Sequence, residues 1–89
     1  MSTRPNILFL FTDQQSARAL SCPGNPQLST PHMDRLAVAG MRFGQAYCAA
    51  PVCGPSRSSL LSGRMPHETG VLVNSMTADP SQPNMGELF

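Results

Sequence analysis

The chain has 89 residues, enough for one small domain, and 12% of them are charged, against about 25% in a typical soluble domain. Its net charge is +1, and its basic residues are spread singly. It therefore lacks the clustered positive charge that binds nucleic acid or an anionic membrane surface, and neither partner is expected. Such a low charge content indicates either an uncharged polar surface or a surface that belongs inside a larger body.

The chain opens with a predicted strand followed by a loop. Residues 7–11 form a continuous apolar run, Ile-Leu-Phe-Leu-Phe, which is typical of a strand that is buried on both faces of a parallel sheet. The run is too short to span a bilayer and does not resemble a signal peptide, so a cytoplasmic location is expected. Prolines and glycine in residues 15–29 predict a loop, with one helical turn near residues 16–20.

A helix and a second strand are predicted next. Thr30 suits the N-cap position, Pro31 suits the first helical position, and Gly40 ends the apolar periodicity. Residues 41–47 then predict a short strand. This order of elements is typical of the opening of an α/β sandwich.

The second half of the chain predicts another helix. Residues 49–54 form the loop that approaches it, the helix itself is predicted over 55–62 with Pro55 as its first residue, and Gly63 follows its end. The rest is predicted to be mostly irregular, with an extended stretch at 71–73.

The C-terminal residues predict the beginning of a further helix. Asn84 suits an N-cap, and Glu87 stands three residues later, as in a capping box.

The three cysteines are too few and are odd in number for a disulfide framework, and the chain has neither a Cys-x-x-Cys motif nor a paired histidine spacing that would predict a zinc site. Cys22 is interpreted as a loop thiol and Cys48 as a small buried residue. Cys53 differs because it stands at the N-terminal end of the predicted helix. The N–H groups and the helix dipole at such an end attract anions and favour a thiolate. Arg57, in the first turn, adds a planar fork of donors that suits sulfate or phosphate.

The segment from Cys53 to Arg57, Cys-Gly-Pro-Ser-Arg, with the Leu-Ser-Gly-Arg that follows, resembles the signature of the type I sulfatases in the alkaline phosphatase superfamily. Residues 5–14, 30–36 and 40–47 resemble further motifs of that family, in the family's order. The resemblance implies that residues 1–89 are the N-terminal fragment of a sulfatase catalytic domain. The implied fold class is α/β, the opening segment of an alkaline-phosphatase-like sandwich with a mainly parallel central sheet.

The resemblance also implies a chemistry. In this family a maturation enzyme, the formylglycine-generating enzyme, oxidises the signature cysteine to formylglycine, whose hydrated form attacks the sulfur of a sulfate ester. Cys53 is therefore the implied precursor, and Arg57 the implied catalytic cation. The implied metal ligands are Asp13, Gln14 and the modified Cys53. Their oxygen atoms suit Ca²⁺, or alternatively Mg²⁺.

Two points separate this chain from a complete sulfatase of the commonest type. Many sulfatases have Asp-Asp where this chain has Asp13-Gln14, which leaves a phosphonate or phosphate diester hydrolase of the same superfamily as an alternative. The family's remaining metal ligands come from later chain, so the missing C-terminal portion is an expected partner and the fragment alone is expected to be inactive. A non-catalytic truncated chain is the other alternative. His67 is open between a general acid and a loop histidine.

Overall fold

The computed structural model describes residues 4–88, which divide into two units at the boundary between Arg42 and Phe43. Within these residues no β-strand is assigned, and no helix is long and apolar enough to cross a membrane. The helical elements are a 3₁₀ turn at Ala17–Ala19, α1 at Pro31–Ala39, α2 at Cys53–Ser62, α3 at Pro66–Thr69 and α4 at Met85–Leu88.

Helix α1, in the first unit, has the predicted limits. Thr30 is its N-cap residue and Pro31 its first residue. The N–H of Gly40 donates to the carbonyl oxygen of Leu36 at 3.0 Å and closes the last turn. The 3₁₀ turn at Ala17–Ala19 also lies where the sequence predicted one helical turn.

The side chain of Thr30 does not cap α1 in the usual way. Its hydroxyl accepts the N–H of Ser21 at 2.9 Å and donates to Asp34 Oδ1 at 3.2 Å. Ser21 Oγ donates to the other carboxylate oxygen, Asp34 Oδ2, at 2.7 Å. The preceding loop is therefore fastened to the first turn of α1 through one carboxylate.

The apolar run at residues 7–11 lies largely exposed. Its side chains range from 53% exposed for Phe11 to 82% for Leu8. The rings of Phe9 and Phe11 stack with their centroids 5.7 Å apart. A buried parallel strand needs hydrogen-bonded neighbours, and no ladder forms within the part of the chain that the structure describes. The strands at 7–11 and 41–47, and the α/β sheet, thus stay predictions.

Helix α2 begins two residues earlier than predicted. Cys53 is its first residue, Val52 is an extended N-cap, and the N–H of Ser56 donates to the carbonyl oxygen of Val52 at 2.9 Å. Pro55 is therefore the third helical residue. This costs no hydrogen bond, because the third N–H of a helix has no partner within it. The helix ends as predicted at Gly63, which has a φ of 68°.

Helix α3 corrects the prediction of irregular chain after residue 64. Pro66 is its first residue, and the N–H of Met65 donates to Glu68 Oε2 at 2.8 Å, as in half of a capping box. Gly70, with a φ of 73°, ends this single turn. The extended stretch predicted at 71–73 is not assigned as a strand.

Asn84 caps α4 in a modified form of the predicted box. Its Oδ1 accepts the N–H of Gly86 at 2.9 Å, and its Nδ2 donates to Glu87 Oε1 at 3.1 Å. The two side chains therefore bond to each other rather than each to the other's backbone.

In the second unit α2 contacts α3 and α4, and four of the residues described between 43 and 88 are buried. Val71 is 2% exposed, Thr69 is 4% exposed, and Pro55 is fully buried. Ser59, at 8% exposed, has a buried hydroxyl with no hydrogen-bond partner. Because a buried hydroxyl without a partner loses its water and gains nothing in return, Ser59 weakens the packing of α2.

We expect Ser59→Ala to raise the free energy of unfolding. Ser58→Ala is the matched control, since Ser58 is the half-buried neighbour in the same helix and gains the same helix propensity. The Ser59 variant should be the more stable of the two by about 1 kcal/mol. Chemical denaturation of both variants measures this difference. Equal stabilities would show that the Ser59 hydroxyl carries no penalty.

Candidate functional site

Helix α2 presents two different faces. Cys53 and Arg57 are four residues apart, share one face and are exposed. Pro55 and Ser59, also four residues apart, are buried. Two residues further along a helix turn the side chain by about 200°, so the buried pair lies opposite the exposed pair. In the Cys-x-Pro-x-Arg motif the proline packs, while the cysteine and the arginine face outward.

The N-terminal end of α2 is partly occupied by a side chain that the local sequence does not predict there. Asn74 Oδ1 accepts the N–H of Gly54 at 2.6 Å. Pro55 has no N–H. From the sequence, N–H groups open to an anion are expected at this end of the helix. The structure corrects this expectation for two of the first three residues of α2. The N–H of Gly54 is already hydrogen-bonded to Asn74, and Pro55 has no N–H.

Gly54 is closely approached at the same point. A Cβ atom at this position would lie 3.0 Å from Asn74 Oδ1 and 3.2 Å from Asn74 Cα. The absence of a side chain at Gly54 therefore lets the later loop reach the helix end.

Asp13 and Gln14 lie in a bend in the first unit. Gln14 has a φ of 50°, the only positive value for a residue other than glycine within residues 4–88. The left-handed region costs such a residue about 1–2 kcal/mol, and strain of this kind gathers at functional sites. The predicted ligand pair thus coincides with a strained backbone position.

Asp13 and Gln14 carry the kind of oxygen ligand that a hard divalent metal ion prefers, but two residues are too few to complete its coordination. A carboxylate and a carbonyl oxygen are ligands that Ca²⁺ prefers, and it takes six to eight oxygens. Within the described residues no three His, Cys, Asp or Glu side chains converge into a metal site. Any complete site needs further ligands.

The predicted site residues are divided between the two units. Asp13 and Gln14 belong to the first, and Cys53 and Arg57 belong to the second. The structure brings together the members of each pair.

The other cysteines and His67 lie outside these pairs. Cys22 is a half-buried thiol in a turn, as expected for a loop cysteine. Cys48 is exposed, so the prediction that it is buried was wrong. The physical reason is that the described residues around Cys48 form no strand or helix to cover it. His67 is exposed within α3 rather than in a loop.

Comparison with known proteins identifies one family over nearly the whole chain. The family model described as Sulfatase matches residues 5–89. The chain is 40% identical to an ulvan-active sulfatase of Formosa agariphila over 98% of its length, and 40% identical to an N-acetylglucosamine-6-O-sulfatase of Bacteroides thetaiotaomicron over 97%. An N-acetylgalactosamine-6-sulfatase of Sus scrofa is 47% identical over 74% of the chain.

The chain spans a small part of these curated relatives. It covers 17% of the Formosa protein, 15% of the Bacteroides protein and 13% of the Sus scrofa protein. No solved structure gives a significant match to it.

Proposed function

The chain belongs to the sulfatase family, and on that premise we propose that it is the N-terminal part of a sulfuric ester hydrolase that uses a formylglycine derived from Cys53 and a divalent metal ion. The observation that carries the proposal is the outward face of α2. It presents Cys53 and Arg57 side by side, within a segment that matches the family throughout.

Arg57 is suited to hold a sulfate group beside the residue at position 53. Its side chain is one helical turn from Cys53 on the same exposed face, and the guanidinium offers several N–H donors in a fixed plane. Two such donors match two oxygens of a tetrahedral oxyanion. Arg57 would therefore orient the ester and stabilise the negative charge that develops on its oxygens.

Asp13, Gln14 and the modified residue 53 would be the metal ligands that this chain contributes. When bound, a hard dication would supply Lewis-acid stabilisation of negative charge. The bend at Gln14 turns the chain sharply after Asp13, so that two consecutive residues are candidates for one ion. Ca²⁺ suits these oxygen donors, and Mg²⁺ is the alternative.

The proposal includes a longer chain that completes the fold and the site. Val71 and Pro55 are the only buried apolar side chains within residues 4–88, while the run at 7–11 is exposed. This distribution supports an α/β sandwich in which later chain would cover residues 7–11 and supply the missing ligands. On this proposal the 89 residues alone have no substantial activity.

Sulfate esters are the proposed substrates because the relatives named above are all described as sulfatases. The Asp13-Gln14 pair supports a second candidate, phosphonate or phosphate diesters. Many sulfatases carry two aspartates at this position, whereas this chain carries Asp13 and the uncharged Gln14. A substrate anion would therefore meet one negative charge fewer at the metal site. Parallel assays with an aryl sulfate and an aryl phosphonate monoester distinguish these candidates.

We expect Cys53 to become formylglycine when the chain is co-produced with a formylglycine-generating enzyme. Mass spectrometry of the peptide that contains Cys53 should show that the sulfur is replaced by oxygen and that two hydrogen atoms are lost, the change that distinguishes formylglycine from serine. Cys48 is an internal control, because it is also an exposed thiol but lies outside the motif, and it should stay unchanged. An unmodified Cys53, in cells that convert a known substrate of the same enzyme, would contradict the proposal.

A further inference from the structure

We infer that Asn74 is a positioning residue for the nucleophile, because its side chain fastens the first turn of α2 next to Cys53; the inference rests on the proposed function above. The anchoring contact is the 2.6 Å hydrogen bond from the N–H of Gly54 to Asn74 Oδ1. Gly54 follows Cys53 directly, so the bond fixes the peptide plane that joins the two residues.

The chain around Asn74 is held on both sides. Before it, Val71 is buried, and its N–H donates to Thr69 Oγ1 at 3.3 Å. After it, the N–H of Met76 donates to the carbonyl oxygen of Val73 at 3.1 Å and closes a turn. Asn74 thus stands in a turn that is anchored to the packed part of the second unit.

The bond joins parts of the chain that are 20 residues apart. A side-chain oxygen that accepts from the second residue of a helix has the geometry of an N-cap, here supplied by a distant loop. The nominal N-cap residue, Val52, has no polar side chain and makes no cap bond. Asn74 therefore performs the capping that the local sequence does not provide.

The hydrogen bond at Gly54 would affect the reaction by holding residue 53 in one orientation. Cys53 is the first residue of α2, where a helix frays most easily, because its N–H has no partner within the helix. Without the bond at Gly54, residue 53 would sample several orientations relative to Arg57. Displacements of about 1 Å at a reacting group lower turnover by about 100-fold in enzymes.

Three variants of the complete sulfatase chain test the inference. Asn74→Ala removes the acceptor, while Asn74→Asp keeps an acceptor oxygen and suits the positive end of the helix. Asn84→Ala is the matched control, because Asn84 caps α4 by the same kind of bond to Gly86. Sulfate-ester turnover and KM are measured, together with hydrogen exchange of the peptide that contains Gly54.

We expect Asn74→Ala to speed exchange at Gly54 by about five- to tenfold, the effect of losing one hydrogen bond. Its kcat should fall by about tenfold or more, with KM changed little. Asn74→Asp should restore both readouts, and Asn84→Ala should alter neither.

Two results would overturn the inference. One is unchanged exchange at Gly54 in Asn74→Ala, which would show that the bond does not hold the helix end. The other is a loss of kcat in Asn74→Asp as large as in Asn74→Ala while exchange stays slow. If the enzyme with the unmodified sequence hydrolyses no sulfate ester, the proposed function fails. The hydrogen-exchange measurement at Gly54 still decides whether Asn74 holds the N-terminal end of α2.

Discussion

Cys53→Ala should abolish sulfate-ester hydrolysis in the complete enzyme, lowering turnover by a factor of about 10⁴ or more. Alanine cannot be oxidised to formylglycine, so the nucleophile is absent rather than weakened. No concentration of Ca²⁺ or Mg²⁺ should restore activity. The measurement is the initial rate with an aryl sulfate across a range of metal concentrations.

Cys48→Ala is the matched control for this variant, since it removes an exposed thiol outside the motif. It should retain the unmodified turnover. If Cys53→Ala kept that turnover with Asp13 intact, the formylglycine assignment would be wrong and the cysteine would have a structural role.

Asp13→Ala should lower turnover by about 100-fold, and excess Ca²⁺ or Mg²⁺ should recover part of the loss. The substitution removes one ionic ligand and weakens the binding of the metal ion, but it leaves the nucleophile in place. A rate that rises with metal concentration toward a plateau is the expected result. This response to metal is what separates Asp13 from Cys53.

Asp79→Ala is the control for the loss of a carboxylate. Hydrogen bonds from the side chain and the backbone N–H of Ser81 lower the pKa of Asp79, which is exposed within its own turn. Its replacement should change neither turnover nor the response to metal. An Asp13→Ala variant with the same metal response as the unmodified enzyme would contradict the role of Asp13 as a ligand.

The limits of the helices could be predicted where a local signal fixes them. Thr30, Pro31 and Gly40 bound α1, and Gly63 ends α2, because N-cap, first-turn and left-handed positions select particular residue types. The start of α2 was placed two residues late. Pro55 was assigned to the first helical position, although the third position also lacks an internal acceptor for its N–H.

The helix α3 was missed although the sequence carries a signal for it. Pro66 at the first position and Glu68 two residues later form the acidic, proline-led first turn of a short helix. The prolines elsewhere in this region outweighed that signal in the prediction of irregular chain.

Four of the five residues of the candidate site, Asp13, Gln14, Cys53 and Arg57, could be predicted from the sequence, and Asn74 could not. Cys53 and Arg57 were predicted from the Cys-Gly-Pro-Ser-Arg segment, in which Cys53 stands at the N-terminal end of the predicted helix and Arg57 in its first turn. Asn74 was missed because its contact with Gly54 depends on a loop that returns from 20 residues away, and no local pattern encodes that return. The left-handed backbone at Gln14 was equally invisible, because glutamine does not favour that conformation.

On the proposed formylglycine chemistry, the burial of Pro55 would set a time limit on the maturation of Cys53. A maturation enzyme that recognises the cysteine, the proline and the arginine of the motif has to reach all three, and Pro55 is fully buried once α2 has packed. Oxidation of Cys53 would then compete with the folding of α2 and would have to finish first. We expect substitutions that stabilise packed α2, Ser59→Ala among them, to shorten this interval and leave a larger fraction of molecules with an unconverted thiol.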